Sequence, residues 1–68
     1  MNFKDEIAKI FKEAREKNGW TQEEVAKRAK VSVNYYARIE RADPMPRGDV
    51  LDRIAKALGV KIKLPLES

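Results

Sequence analysis

The sequence predicts an all-α domain of four helices followed by one short β-strand. Three observations carry that expectation. Apolar residues return every three or four positions in four separate segments, the spacing of one helical face. Each segment is bounded by residues that start or stop helices. After Gly59 the apolar residues alternate strictly, which is the spacing of a strand face.

The first helix is expected at about residues 4–17. Asn2 can cap it, and Asp5 and Glu6 fall in its first turn, where the helix dipole favours acids. Ile7, Ala8, Ile10, Phe11 and Ala14 form its inward face, while Lys4, Lys9, Lys12, Glu13, Glu16 and Lys17 fill the other. Asn18-Gly19 ends the helix, because glycine takes the left-handed cap conformation without a strained Cβ.

Trp20 follows as an apolar anchor expected in the core. The second helix, about 22–29, opens on "TQEE", a capping box. In it the Thr21 hydroxyl accepts from the Glu24 N–H, and the Glu24 side chain reaches back to the backbone. Val25, Ala26 and Ala29 make a narrow apolar stripe whose alanines permit close helix approach. Ser32 caps a third helix at about 33–41, with Val31 before it as a hydrophobic staple. Tyr36 and Ile39 lie on its inward side. "ADPMPRGD" cannot continue a helix, since its prolines lack the N–H and its glycine disfavours the helical backbone. The fourth helix is expected at about 47–58, with Asp49 in its first turn. Val50, Leu51, Ile54, Ala55 and Leu58 are its buried face, and Gly59 is its stop. "VKIKLPL" then alternates, so a strand is expected at about 60–65, limited by Pro65 to an edge or an end.

The whole chain, 1–68, is read as a single domain. A core of this size is small, so stability must come from compact packing or from a partner chain. Fifteen Lys and Arg against eleven Asp and Glu leave a net charge of +4, which favours a polyanionic partner without requiring one. There is no cysteine and no histidine. That removes disulfides, thiolate metal sites, the commonest metal ligand and the commonest general base. No cofactor is expected. The apolar runs are too short to span a membrane, and "MNFKDEIAKI" carries acids in place of an apolar signal region, so a cytoplasmic protein is expected. An enzyme is disfavoured: no nucleophile–base set exists, the carboxylates fall on solvated helix faces, and no glycine-rich phosphate loop is present.

The second and third helices are short and joined by a tight turn, the arrangement of a helix-turn-helix unit. In such units the first helix crosses the DNA backbone. The second enters the major groove, which is wide enough to admit it. With Tyr36 and Ile39 inward, the third helix presents Val33, Asn34, Ala37, Arg38 and Arg41. Asn can pair with adenine and Arg with guanine, while Val or Ala can meet a thymine methyl. Each residue also has a plainer reading. Gln22 is a good early helix residue, Arg38 a solvated cation, and Val33 an ordinary exposed valine. Tyr35 either touches the groove edge or packs.

The span from Ile7 to Val60 resembles the Cro/phage-repressor type of helix-turn-helix domain, the XRE-like family. The matching stretches are "AREKNGWTQEEVAKRAKVS", "YYARIER" and "LDRIAKALGV". The resemblance implies sequence-specific binding of double-stranded DNA by a homodimer on a palindromic operator, as a transcriptional regulator of repressor kind. By position it implies base reading by Ser32, Val33, Asn34 and Arg38. Thr21, Gln22, Tyr35, Arg41 and Arg47 would meet phosphates, and Arg15 would pair with Glu40 to tie the first helix to the third. Four positions depart from the family pattern. Lys30 and Ala42 stand where glycine is common, Gly48 where a core leucine is frequent, and Val33 where a polar residue is usual. If Lys30 takes positive φ, it costs roughly 1 kcal/mol over glycine.

The alternating tail is similar to that of antitoxins of the HipB and HigA kind, in which a strand pairs with its copy across a two-fold axis. A lone strand leaves its N–H and C=O groups unpaired, and a second subunit would satisfy them while burying Val60, Ile62 and Leu64. The alternative function is therefore an antitoxin subunit that binds a toxin protein and regulates its own operon.

Overall fold

The computed structural model describes residues 3–43 and 47–62. Four helices follow in order: α1 (Phe3–Lys17), α2 (Gln22–Ala29), α3 (Val33–Glu40) and α4 (Gly48–Leu58). The expected cap at Asn2 and the tail residues Leu64 and Pro65 lie outside the described residues.

One core joins the helices. α1 contributes Ile7, Ala8 and Phe11, and α2 contributes Val25, Ala26 and Ala29. α3 adds Tyr36 and Ile39, and α4 adds Leu51, Ile54, Ala55 and Leu58. α2 packs most extensively on α4 and on α3, as its small alanines allow. Ile10, expected inward, is instead exposed. At about 100° per residue it sits a quarter-turn away from Phe11, outside the arc of Ile7, Ala8 and Phe11. Val50 is only half-buried. Trp20, expected in the core, packs against it half-buried and lies under the Arg28 guanidinium, 4.2 Å from ring centroid to Cζ.

All four helices end in the same device. Beyond each end a residue in the left-handed region sends its own N–H and that of the next residue back to the last turn. After α1 this gives Gly19 N–H to Glu16 O and Trp20 N–H to Arg15 O. After α2 it gives Lys30 N–H to Lys27 O and Val31 N–H to Ala26 O. Ala42 and Asp43 close α3, and Gly59 and Val60 close α4, in the same pattern. Glycine fills the left-handed position twice, at Gly19 (φ 72°) and Gly59 (φ 74°). Lys30 (φ 61°) and Ala42 (φ 60°) fill it at the other two ends, each with a Cβ crowding the following peptide.

At the helix starts, the Thr21 hydroxyl accepts from the Glu24 N–H at 3.1 Å. The other half of the expected capping box is not made. The Glu24 carboxylate turns to Arg28 one turn on, at 2.6 Å, where a charged partner outcompetes a backbone N–H. α4 begins at Gly48, with Arg47 as its N-cap residue and no side-chain capping bond.

Among the described residues no strand forms, and 60–62 leave α4 without β pairing. The alternation is still expressed in the packing: Val60 and Ile62 are half-buried against the core while Lys61 is exposed. The chain's own helices cover the apolar side of this segment only in part.

Candidate nucleic-acid interface

α3 is presented rather than enclosed. Ser32 caps it, its hydroxyl accepting from the Tyr35 N–H at 3.1 Å. The left-handed turn at Lys30 redirects the chain between α2 and α3. Tyr36 is wholly buried and Ile39 nearly so, which fixes the inward side of the helix. Val33, Asn34 and Arg38 are exposed, and so is Arg41 immediately beyond the last turn. Helical spacing gathers Asn34, Arg38 and Arg41 opposite Tyr36 and Ile39, with Val33 on the flank of that face, about 60° around the helix from Tyr36. Among the described residues, Val33 is the more exposed of the two large apolar residues that reach solvent, at 42%. Tyr35 is half-buried and packs against the core cluster with its backbone N–H held by the cap.

The remaining expected contact residues surround that face. Thr21 is exposed at the start of α2, and Ser32 is exposed at the start of α3. Both hydroxyl oxygens are engaged as acceptors by capping, and both O–H donors remain. Arg47 is exposed and, among the described residues, makes only a long contact of 3.4 Å to Asp49, weak at such exposure.

A polar cluster anchors this arrangement from beneath. The Arg15 guanidinium from α1 grips the Glu40 carboxylate with both prongs, Nε to Oε2 at 2.7 Å and Nη2 to Oε1 at 3.1 Å. Its third nitrogen donates to the Trp20 carbonyl at 3.0 Å. Gln22 Nε2 donates to the same Glu40 Oε1 at 2.9 Å. The side chain of Glu40 is 4% exposed and that of Arg15 15%. Burial opposes the charge on Glu40, but hydrogen bonds from Arg15 and Gln22 and the neighbouring Tyr36 hydroxyl outweigh it, so the carboxyl is held below the usual range. The hydrogen bond to Glu40 holds the Arg15 proton more tightly than usual, against the effect of burial. Burial, reinforced by the Glu40 charge, pushes the Tyr36 phenol far up. Its hydroxyl lies in the cluster without a partner in full hydrogen-bonding geometry.

Two features of this neighbourhood were not foreseen from the sequence. The link from Gln22 to Glu40 joins residues that only the packing of α2 against α3 brings together. Arg53 of α4 donates to the Ala29 carbonyl at 3.2 Å, adding a side-chain bond at the C-terminus of α2.

The site is thus a helix-turn-helix unit: a bracing helix, a tight left-handed turn, and a following helix with a polar, cationic outer face. A family model described as helix-turn-helix matches residues 11–64. The chain belongs to this family, the Cro/phage-repressor type, whose members are DNA-binding transcriptional regulators. No curated protein and no solved structure matches it. Among the described residues no cluster of acidic, histidine or cysteine side chains could hold a metal, and no helix is long and apolar enough to cross a membrane.

Proposed function

We propose that the protein is a sequence-specific repressor that binds a palindromic operator as a homodimer, with α3 in the major groove. The observation that carries this reading is the division of α3 into two faces. Tyr36 and Ile39 are sealed in the core, and Asn34 and Arg38 are free in solvent. Asn34 is suited to adenine, Arg38 to guanine, and the Val33 methyls to thymine. The Ser32 hydroxyl donates at the groove edge. Thr21 and Gln22 at the start of α2, with Tyr35, Arg41 and Arg47, hold the backbone. The net charge of +4 supports attraction to a polyanion. The tail from Val60 through Ile62 to Leu64 supplies contact with the second subunit, since Val60 and Ile62 are only half-covered by their own chain.

Selection of bound sequences from a random duplex pool tests binding, symmetry and spacing together. Enrichment of inverted half-sites about 10 base pairs apart is expected of a symmetric dimer. Recovery of a single unrepeated half-site would overturn the dimer, and no enrichment at all would overturn sequence-specific reading.

A further inference from the structure

We propose that the cavity between the end of α2 and α4 binds a small phosphomonoester, a dianion, at a place separate from the outer face of α3.

The cavity has a volume of about 380 Å³ and is lined by Arg28, Ala29, Lys30, Arg53, Lys56 and Ala57. Sites for small ligands have volumes of this order. Neither Asn34, Arg38 nor Arg41 lines it. Ala29 is buried and Ala57 half-buried, and the four cations are exposed. Two of the cations have carboxylate partners: Arg28 pairs with Glu24 at 2.6 Å and Lys56 with Asp52 at 3.1 Å. Among the described residues Lys30 and Arg53 make no ion pair. Four cations against two carboxylates leave a local excess of two positive charges. A phosphomonoester near neutral pH matches that excess, and a singly charged phosphodiester does not.

The two guanidinium groups are held before any ligand arrives. Arg53 Nε donates to the Ala29 carbonyl at 3.2 Å. Arg28 Nε donates to Glu24, and its Cζ lies 4.2 Å from the centroid of the Trp20 ring. Each is fixed through Nε and keeps the N–H groups of its two Nη nitrogens, which suit phosphate oxygens. A side chain already held loses less freedom when a ligand binds.

Lys30 separates a binding site from ordinary helix-end electrostatics. The dipole of α2 favours cations near its C-terminus whatever they touch. Lys30, however, has φ 61°, where glycine is the less strained residue. The strain comes with a cation on the wall of the cavity, and strain of this kind collects at ligand sites.

The test uses the full chain, labelled with nitrogen-15, and needs no DNA. Phenyl phosphate is titrated in with ionic strength held constant by sodium chloride, and dimethyl phosphate serves as the singly charged analogue of the DNA backbone. Phenyl phosphate should shift the amides of Ala29, Lys30, Arg53 and Ala57 and saturate by about 10 mM, a millimolar Kd or tighter. Dimethyl phosphate should bind at least about tenfold more weakly. Equal binding of the two would make the cavity a contact for backbone phosphates and overturn the proposal. So would shifts that do not saturate, or that centre on Asn34 and Arg38. Arg53→Gln and Lys30→Gly should each weaken phenyl phosphate about tenfold, the scale of one hydrogen bond to a charged group. Lys30→Gly is decisive, because it should raise the urea midpoint while binding falls. A raised midpoint with undiminished binding would overturn the role of Lys30 and the proposal with it.

Discussion

Replacing Arg15 with methionine isolates what the buried fork contributes. The variant keeps the aliphatic stem and deletes the charge, leaving Glu40 with Gln22 as its remaining hydrogen-bond donor. A carboxylate at 4% side-chain exposure then sits in the interior nearly uncompensated. Breaking one side of such a pair costs about 3–5 kcal/mol. The lower end applies here, because the Gln22 bond survives and Arg15 is not fully sealed. A domain of 68 residues has about 3–10 kcal/mol in total, so a loss near 3 is a large share of it. In urea melts followed by circular dichroism and by the single tryptophan, the midpoint should fall by about 3 M or the variant should be unfolded in buffer.

The pH dependence carries the sharper signature. In the wild type the folded pKa of Glu40 lies below its unfolded value of about 4.3. The unfolded chain therefore binds the proton first, and the stabilisation is complete above that value and lost as pH falls through the folded pKa. In Arg15→Met burial dominates and raises the folded pKa above the unfolded one. The penalty then applies at neutral pH and is relieved as pH falls through the raised value. The gap between variant and wild type should be widest near pH 7 and narrow on acidification. A gap under about 1 kcal/mol that does not change between pH 7 and pH 4 would show that the fork is solvated and refute the reasoning.

Lys30→Gly and Ala42→Gly should each stabilise the fold by about 1 kcal/mol in denaturant melts, because each relieves a left-handed residue that carries a Cβ. Tyr36→Phe removes a buried hydroxyl that lacks good hydrogen-bond geometry, so its stability should stay within about 1 kcal/mol of the wild type. A much larger loss would show that the hydroxyl bonds Glu40 firmly. Arg38→Ala should cost about 1–3 kcal/mol of binding to the selected duplex and relax selectivity at one base pair. Equal losses on selected and random DNA would make Arg38 a phosphate contact instead.

The parts of this fold legible in the sequence are those set within a turn or two of chain. Thr21 and Ser32 cap because their oxygens lie within reach of an N–H three residues on, and the spacing of Tyr36 and Ile39 assigns the faces of α3 directly. Errors arise where a second local option or a distant neighbour decides. Glu24 had two partners within one turn and took Arg28, the charged one. Ile10 fits a loose apolar repeat but falls outside the arc that the other helices cover. Trp20 does pack against the core, but from its edge, with Arg28 of α2 over its ring, a neighbour its own position does not indicate. At the site, the outward placement of Asn34 and Arg38 follows from periodicity alone. The Gln22 contact with Glu40 spans 18 positions and depends on how α2 crosses α3, which no local pattern encodes.

The polar cluster has a geometric reason for lying beneath a presented helix. α3 has eight residues and buries only Tyr36 and Ile39 fully. Two anchors three residues apart define only a single short line on the helix surface, inclined about 45° to its axis. Apolar packing about that line is non-directional and leaves roll of the helix weakly determined. Roll is the coordinate that matters for reading bases, since a turn of about 100° would bring a different residue to the groove. Tyr35 packs on one flank of the line, and Glu40 lies on the other. Hydrogen bonds at Glu40 act at fixed distance and angle, from α1 through Arg15 and from α2 through Gln22, so they restrict the motion that the apolar anchors permit. An apolar residue at position 40 could match the stability of the ion pair while leaving the roll free. The test is the double variant Arg15→Met with Glu40→Leu. It should recover most of the stability that Arg15→Met loses yet bind the selected duplex with a lower cognate-to-random ratio than the wild type. Full recovery of both would show that packing alone orients α3.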